Sequence, residues 1–292
     1  MPELPEVETI ARGVDARLRG DRIVDAWLGS HREPFKTPPA RQADGLRERR
    51  IVAVHRTGKH IVVELGRRAE DAVAADSLPE KDREIAAQWI VHLGMTGRLL
   101  VTTPQAPVAK HTHARLTLES GRELRFVDPR RFGRLEFRDL RKAGGLARWG
   151  FVAQGLEPLK IEAEEFANLF RGRKLAVKAA LLNQTLLTGV GNIYADESLF
   201  RAGIRPRRRA GRLTRAELEK LHLALREVLE HAIRLGGSSV SDYVDAEGVR
   251  GFFQLEHCVY QRTGEPCRTC GEAIKRIVVA GRSTHYCAHC QH

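Results

Sequence analysis

Hydrophobic positions along the chain follow two different periods, and the change between them divides the sequence. Over residues 5–19, apolar residues recur every three or four positions, among them Val7, Ile10 and Val14, which predicts an amphipathic helix. From about residue 22 to 137, short apolar runs alternate with turn signals. This second pattern predicts an antiparallel β domain of the sandwich or barrel type.

The β pattern contains six recognisable apolar runs and one interruption. The segment 66–87 has a strand-breaking composition, and we interpret it as a surface insertion between two strands, partly helical or mobile. The predicted strands lie in the segments RIVDAWL, RIVAVHR, HIVVEL, QWIVHLG, ARLTL and LRFVD.

Beyond residue 146 a linker leads into a region with the helical period. Thr214 and Glu217 have the spacing of a capping box, which predicts the start of a longer helix that ends at Gly236. A glycine-rich loop follows at 236–253. Three shorter helices are predicted in IEAEEFANLFRG, LAVKAALLNQTLL and IYADESLFRAGI, with GVGN as a tight break between the last two.

The net charge of the chain indicates what kind of partner it binds. The net charge is +12, and 42% of the residues are hydrophobic, so a folded protein with a polyanionic partner, nucleic acid above all, is expected. No apolar run reaches about 18 residues, and the acidic N-terminus does not have the composition of a signal peptide. We therefore expect a cytoplasmic protein.

Four cysteines near the C-terminus have metal-ligand spacing. Cys267-x-x-Cys270 is followed after sixteen residues by Cys287-x-x-Cys290, which predicts a closed, structural tetrahedral zinc site; a redox or degenerate site is the alternative. Arg282 would lie on the turn of a zinc hairpin. Cys258 falls outside this spacing and is interpreted as a buried or spectator thiol. Four thiolates already complete the metal shell. Surface positions are expected for His285, His289 and His292.

Two further motifs admit either a functional or a structural interpretation. In GVGNIYADE, Asn192 stands at a helix start, where backbone N–H groups form an anion site or the asparagine is an ordinary N-cap; Lys178 would add positive charge there. In DPRRFG, the pair Arg130–Arg131 and Phe132 form either a common β-turn or, with Met95 of HLGMTG, a plug for the gap left by an everted base. Met95 could equally be a core residue.

The N-terminus offers a nucleophile. If Met1 is removed, the ring nitrogen of Pro2 becomes a free secondary amine, which can attack an electrophilic carbon. Glu3 and Glu6 follow it, either as acid–base groups or as acids that complement the dipole of the predicted helix.

Taken in order along the chain, these motifs resemble the formamidopyrimidine-DNA glycosylases, bacterial base-excision repair enzymes for oxidised purines. The resemblance covers residues 2–291, and its most specific parts are the N-terminus, GVGNIYADE and the cysteine pairs. The endonuclease VIII branch has a different N-terminal motif. The motifs that carry the resemblance are PELPEVET, RTGKH, HLGMTGRL, KHTHARL, DPRRFG, GVGNIYADE and CxxC…CxxC.

The resemblance implies a bifunctional DNA glycosylase and AP lyase. Pro2 would attack C1′ and form a Schiff base that leads to β,δ-elimination, with Glu3 as the general acid/base and Glu6 as a supporting carboxylate. Lys59 and Arg282 would donate protons in the elimination steps. The void-filling residues would be Met95, Arg130 and Phe132. Other contacts to the DNA would come from His92, His111, Arg130, Arg131, Lys178, Asn192 and Arg282.

The implied architecture is α+β, with one structural Zn²⁺ held by the four cysteines. It comprises a catalytic β-sandwich domain at 1–140, a linker at 141–160, a helix–two-turn–helix domain with a lesion-capping loop at 161–253, and a zinc finger at 254–292. The partner would be double-stranded DNA with oxidised bases or abasic sites. The protein would be a monomer in the cytoplasm, associated with the nucleoid.

One departure from the family pattern and two alternative functions stay open at this point. Asn183 stands where the family often has aspartate, which removes a negative charge near Lys178 and would alter a local salt bridge. The alternative functions are an endonuclease VIII-like glycosylase for oxidised pyrimidines and a non-catalytic protein that binds damaged DNA.

Overall fold

The computed structural model describes residues 1–31, 33–68, 85–141, 150–240 and 243–292. Most of the predicted insertion at 66–87 and residues 142–149 of the predicted linker lie outside these residues. The contacts divide the chain into two compact units. The first comprises Met1–Pro2, Glu6–Val152 and Ser239–Gly251, and the second comprises Glu3–Pro5, Ala153–Ser238 and Phe252–His292. No helix in the described ranges is long and apolar enough to cross a bilayer.

Eight strands of the first unit form two antiparallel sheets of four. They are β1 Ile23–Leu28, β2 Ile51–Thr57, β3 His60–Leu65, β4 Ala87–His92, β5 Arg98–Thr102, β6 Thr112–Leu118, β7 Glu123–Val127 and β8 Arg134–Asp139. One sheet has the order β1–β6–β7–β5 and the other β2–β3–β4–β8. Each of the six predicted runs contains a strand, whereas the sequence analysis did not single out β5 and β8 as strands.

One apolar core joins both sheets to the first helix, α1 Leu4–Leu18. Val7, Ile10 and Val14 of α1 belong to the same buried cluster as Trp89 of one sheet and Phe126 of the other. The helical spacing of the apolar residues in α1 therefore describes the face that covers the sandwich. This arrangement confirms the predicted amphipathic helix and β-sandwich.

A second helix interrupts the region that the sequence analysis assigned to strands alone. Helix α2 comprises Pro39–Leu46 and begins with a proline in its first turn, where the fixed φ of proline suits a helix. It packs against β1 and β8 and buries Gln42 and Leu46. With eight residues, α2 is too short to produce a clear helical period.

The second unit contains helices α3 Ala163–Phe170, α4 Val177–Leu181, α5 Asn192–Ala202 and α6 Arg215–Arg234, and the hairpin β9 Lys275–Val279 and β10 Arg282–Tyr286. The predicted capping box is confirmed: Thr214 Oγ1 accepts from Glu217 N at 3.3 Å, and Glu217 Oε2 accepts from Thr214 N at 2.8 Å. These helices and the hairpin confirm the α+β class.

Helix α4 is much shorter than the predicted helix over LAVKAALLNQTLL. After Leu181 the chain turns, and Asn183 Oδ1 accepts hydrogen bonds from Thr185 N at 3.0 Å and Thr185 Oγ1 at 2.8 Å. Asparagine side chains favour such local turns over continued helix. The apolar residues after Asn183 therefore lie in a turn.

Candidate active site

Glu3 is held at the start of helix α5. Its side chain is 5% exposed, and its carboxylate accepts hydrogen bonds from Ile193 N at 3.2 Å and Tyr194 N at 3.5 Å. Unpaired N–H groups and the helix dipole make this position favourable for an anion. The sequence analysis considered a phosphate or an Asn192 N-cap here. In the structure the anion is Glu3, and the N-cap residue is Gly191.

The glycines of GVGN make room for this contact. Gly189 has φ of 87°, and its carbonyl accepts from Leu4 N at 3.0 Å. A Cβ atom on Gly191 would lie 2.2 Å from Glu3 Cδ, so no larger residue fits at this position. The motif thus seats the residues that directly follow Pro2. Pro2 itself is buried and belongs to the first unit.

Asn192 and Lys178 both bind the strand that begins with Arg282. Asn192 Nδ2 donates to Ser283 O at 2.9 Å, and Lys178 Nζ donates to Ser283 O and Thr284 Oγ1, each at 2.8 Å. Arg282 is the first residue of β10 and is exposed beside the hairpin turn. These contacts fix the backbone that carries Arg282.

Lys178 is paired within the second unit. Its Nζ lies 2.7 Å from Asp196 Oδ1, and both side chains are 0% exposed. Burial lowers the pKa of Lys178, and the nearby Asp196 carboxylate opposes that shift. With three partners, the ammonium is directed toward α5 and β10. Its direct contact with DNA stays a prediction, whereas its contacts in this structure are internal.

One expectation about these residues was wrong. His285 was expected at the surface but is 4% exposed, because its N and Nδ1 lie 2.9 and 3.2 Å from Asp196 Oδ2. Position 183 was expected to matter for a salt bridge near Lys178, and the carboxylate that pairs with this lysine is Asp196. Asn183 instead stabilises the turn after α4.

In the first unit, Lys59 and His92 lie at the same end of one sheet. Lys59 follows Gly58 in the two-residue turn between β2 and β3, and the φ of 60° at Gly58 suits the first central position of a type II′ turn. His60, which follows Lys59, pairs with His92 in the β3–β4 register, with ring centroids 4.8 Å apart. The structure therefore places Lys59, a predicted proton donor, and His92, a predicted DNA contact, at the same end of this sheet.

His92 is a neutral donor in this arrangement. Burial, together with the positive charges of His60, Lys59 and Arg134, lowers its pKa to about 4. Its Nδ1 accepts from Gly94 N at 3.2 Å, so the single ring proton resides on Nε2. A neutral imidazole of this tautomer can donate one hydrogen bond to a phosphate oxygen but cannot supply charge.

The three predicted void-filling residues lie on two adjoining loops and point into solvent. Met95 is 41% and Phe132 is 50% exposed, and the guanidinium of Arg130 lies 4.7 Å from the centroid of the Phe132 ring. The loops touch closely, because a Cβ on Gly94 would meet the Phe132 carbonyl carbon at 2.5 Å. Met95 is therefore not a core residue, which agrees with the plug interpretation.

Asp128 forms hydrogen bonds with both of these loops, and the sequence analysis did not identify it. Its side chain is 0% exposed. Oδ1 accepts from Thr96 Oγ1 at 2.6 Å and from Arg130 N at 3.3 Å, and Oδ2 accepts from Gly133 N at 2.8 Å. One buried carboxylate thus sets the positions of both loops. An aspartate directly before Pro-Arg-Arg was a signal that could have indicated this turn.

The remaining predicted residues of the first unit occupy distinct positions. His111 and Arg131 are exposed, the former just before β6 and the latter in the turn after β7. Glu6 is 2% exposed on α1, and its carbonyl accepts from Tyr243 Oη at 3.3 Å. Tyr243 belongs to the predicted lesion-capping loop; in the described residues of that loop, Tyr243 and Ala246 are part of the first unit's core.

The four C-terminal cysteines form a site for one metal ion. Their sulfur atoms all lie within 4.8 Å of one another, with 3.9 Å between Cys267 and Cys290 and 3.5 Å between Cys270 and Cys287. Zn–S bonds of about 2.3 Å in a tetrahedron give sulfur separations in this range, so the donor set fits zinc.

Glu197 is a further buried acid that the sequence analysis did not identify. It is 0% exposed, and its carboxylate accepts from the backbone N–H groups of Cys258, Val259 and Tyr260 at 2.9–3.1 Å. It therefore anchors the segment that leads into the zinc site.

The sandwich, the helices that hold a zinc hairpin, and the acid beside an N-terminal proline define a zinc-finger protein of the DNA glycosylase class. Family models agree along most of the chain: the formamidopyrimidine-DNA glycosylase N-terminal domain matches residues 1–135, the H2TH domain matches 155–244, and the zinc finger found in FPG and IleRS matches 264–292. The chain belongs to the formamidopyrimidine-DNA glycosylase family. This membership confirms the predicted base-excision repair glycosylase and the structural zinc.

Relatives support this over the full length. The formamidopyrimidine-DNA glycosylases of Solibacter usitatus and Desulfitobacterium hafniense are 45% and 42% identical, with 100% of this chain and 99% and 100% of the relatives covered. A Lactococcus lactis Fpg bound to abasic-site DNA and a variant bound to Fapy-dG DNA each have a TM-score of 0.84 and 33% identity, with 99% of both chains covered.

Proposed function

We propose that the chain excises oxidised purines, 8-oxoguanine and formamidopyrimidines, from double-stranded DNA and then cuts the abasic strand. The observation that carries this proposal is the buried Pro2–Glu3 pair, in which hydrogen bonds from α5 orient the carboxylate directly after the proline. Relatives crystallised with Fapy-dG and abasic-site DNA support this substrate class.

After removal of Met1, the lone pair of the Pro2 nitrogen attacks C1′, and the glycosidic bond breaks as the base leaves. Opening of the sugar ring then gives an iminium ion between C1′ and the proline nitrogen. The amine must be unprotonated to attack, and α-amino groups in model peptides titrate at about pH 7.7–8.0. Glu3 transfers protons at the sugar oxygen as general acid/base, with Glu6 as a supporting carboxylate.

Strand cleavage follows by elimination. The iminium acidifies the C2′ proton, so its loss expels the 3′ phosphate, and a second elimination expels the 5′ phosphate. Lys59 and Arg282 donate protons in these steps. The backbone of the DNA is contacted by His92, Arg131, Lys178, Asn192 and Arg282, and His111 is a further polar residue in the DNA cleft. The exposed positions of His111, Arg131 and Arg282 support this assignment.

The gap left by the everted base is filled by Met95, Arg130 and Phe132, and Arg130 reads the orphaned cytosine. Their exposure on two closely packed loops supports this role. Side chains inserted into the stack offset part of the unstacking cost of a few kcal/mol. The loop at 236–253 covers the lesion. The domains are those predicted from the sequence: a catalytic domain at 1–140, a linker at 141–160, a helix–two-turn–helix domain at 161–253 and a zinc finger at 254–292. We place the enzyme, a monomer with one zinc ion, in the cytoplasm at the nucleoid.

A side-by-side excision assay on 8-oxoguanine and thymine glycol duplexes tests the substrate class. We expect faster excision of 8-oxoguanine, and loss of excision by at least a hundredfold in Glu3→Gln, because general acid–base catalysis contributes about 10²–10⁴-fold. Faster removal of thymine glycol would instead favour a pyrimidine glycosylase. A Lactococcus lactis Fpg complex with oxidised-pyrimidine DNA makes this comparison necessary. Binding without excision would indicate the non-catalytic alternative.

A further inference from the structure

A pocket of the first unit lies beside the turn that carries Arg130 and Phe132. Its volume is ≈ 520 Å³, which lies within the range of about 300–1,000 Å³ for small-ligand sites. The loop after β1, the loop before β6 and the turn after β7 form its walls. Five side chains give it its chemistry: Trp27, His31, Lys110, His111 and Arg131.

Trp27 is the unusual member of this set. It is 45% exposed at the end of β1, whereas Trp89 of the neighbouring sheet is completely buried. Its ring approaches Gly29, where a Cβ would lie 3.8 Å from Trp27 Cη2. An indole face open to solvent is a platform on which a nucleobase can stack.

Two of the other side chains supply positive charge around this platform. Lys110 and Arg131 are cations, and both are exposed. The rings of His31 and His111 are exposed beside them. Arg131 has φ of 56°, a left-handed conformation that is uncommon for residues other than glycine and concentrates at functional sites. The side chains of these consecutive arginines therefore point in different directions. Arg130 lies over the Phe132 ring, and Arg131 lines the pocket.

We propose that this pocket binds one unstacked nucleotide of the DNA next to the kink. The base stacks on Trp27, and Lys110 and Arg131 contact its phosphates. An aromatic face combined with cations fits a nucleotide better than either an apolar ligand or a simple anion. The proposal rests on the proposed function, because the void-filling residues Arg130 and Phe132, the chain neighbours of Arg131, unstack the DNA there. This unstacking makes such a nucleotide available. It adds a nucleotide site that the family motifs do not assign.

The test compares Trp27→Ala and Trp27→Phe with Val24→Ala, an exposed residue of the same strand outside the pocket. For a duplex with an abasic-site analogue, we expect Trp27→Ala to weaken binding about tenfold, because base stacking contributes about 1–3 kcal/mol. Trp27→Phe keeps most of the affinity, and Val24→Ala leaves it unchanged. DNA should quench the tryptophan emission of the wild type but not that of Trp27→Phe. Urea unfolding checks that each variant is folded.

A salt titration adds a second readout. In Lys110→Ala, the negative slope of log K against log salt should become less steep by about 1, as expected for one lost phosphate contact. Lys160→Ala serves as the charge-matched control. Equal binding by Trp27→Ala and wild type, or an equal loss on undamaged duplex, overturns the assignment to an unstacked nucleotide. Single-turnover excision by the wild type is measured in parallel. Absence of excision would count against the proposed function, whereas the binding and quenching results test whether the pocket binds an unstacked nucleotide.

Discussion

Each unit of the molecule contains a completely buried aspartate, and the two are stabilised in different ways. Asp128 accepts hydrogen bonds from one hydroxyl and two backbone amides of the loops around it. Asp196 lies against the ammonium of Lys178 and the backbone and ring of His285. The first carboxylate is surrounded by dipoles, and the second is paired with a charge.

This difference shows which structure each aspartate organises. Asp128 fixes two surface loops whose exposed side chains are proposed to enter the DNA. Asp196 fixes an interior junction between helix α5 and the hairpin that carries Arg282. Since a charge pair has two buried ions, removal of one leaves the other uncompensated. We therefore expect the junction to lose more stability from a single change than the loops do.

Lys178→Met should produce the largest loss of stability. It leaves Asp196 buried without its ammonium partner, and such a break costs about 3–5 kcal/mol. Urea unfolding of the zinc-loaded protein measures the change, with exposed Lys174→Met as the matched control. The double variant Lys178→Met/Asp196→Leu should recover part of the loss, because it removes both ions. Equal stability of the wild type and Lys178→Met would refute the charge-pair account.

Asp128→Asn should cost less, about 2–3 kcal/mol, because an amide oxygen can replace one acceptor and hydrogen bonds to charged groups contribute about 1.5–3 kcal/mol. It should also reduce the preference for lesions opposite cytosine, since the loop that carries Arg130 loses its support. Unfolding and excision opposite C and A measure the two effects. Asp44→Asn, an exposed aspartate of the same unit, is the control. Unchanged discrimination despite the lost stability would separate Asp128 from lesion recognition.

His92 provides a third case, a half-buried imidazole with the cations Lys59 and Arg134 nearby. Its pKa in the folded state is about 4, below the value of about 6.5 for an unfolded chain. The unfolded state therefore takes up the proton first as pH falls, and stability present above pH 6.5 is lost toward pH 4. We expect a loss of about 2 kcal/mol between pH 7.5 and 5 from this group.

The measurement is urea unfolding of wild type and His92→Gln at both pH values. The variant should lose about 2 kcal/mol less than the wild type over this interval, while His111→Gln, an exposed histidine of the same unit, should behave like the wild type. Parallel pH profiles for all three proteins would mean that His92 is not the group responsible.

Thr214→Ala should have the smallest effect, about 1 kcal/mol, since it removes the side-chain acceptor of an N-cap. Thermal unfolding compared with that of Thr263→Ala, an exposed threonine outside the helices, measures it. A loss similar to that of Lys178→Met would contradict the expectation that breaking a buried charge pair costs more stability than removing an exposed helix cap.

The sequence allowed prediction wherever a feature depends on local spacing. The helical period of α1, the Thr214–Glu217 cap and the two cysteine pairs each lie within a few residues, so their structures follow from local physics. Residues of the proposed chemistry were recognisable because they belong to short motifs.

The buried acids could not be predicted in this way, because their partners are distant in sequence. Asp128 bonds to Thr96, and Asp196 pairs with Lys178 and His285. The end of α4 was also misjudged, since the apolar period continued past Asn183 while its side chain favoured a turn. Long-range hydrogen bonds and local competition by side chains thus account for what the sequence alone did not reveal.

The most direct test of the central claim is the intact mass of the protein after borohydride treatment with abasic-site DNA. The claim is that the Pro2 nitrogen bonds to C1′. Protein that lacks Met1 should gain the mass of the DNA strand, with the adduct mapped to Pro2, and protein that retains Met1 should gain nothing. An adduct at Lys59, or none on the Met1-free protein, would contradict the account.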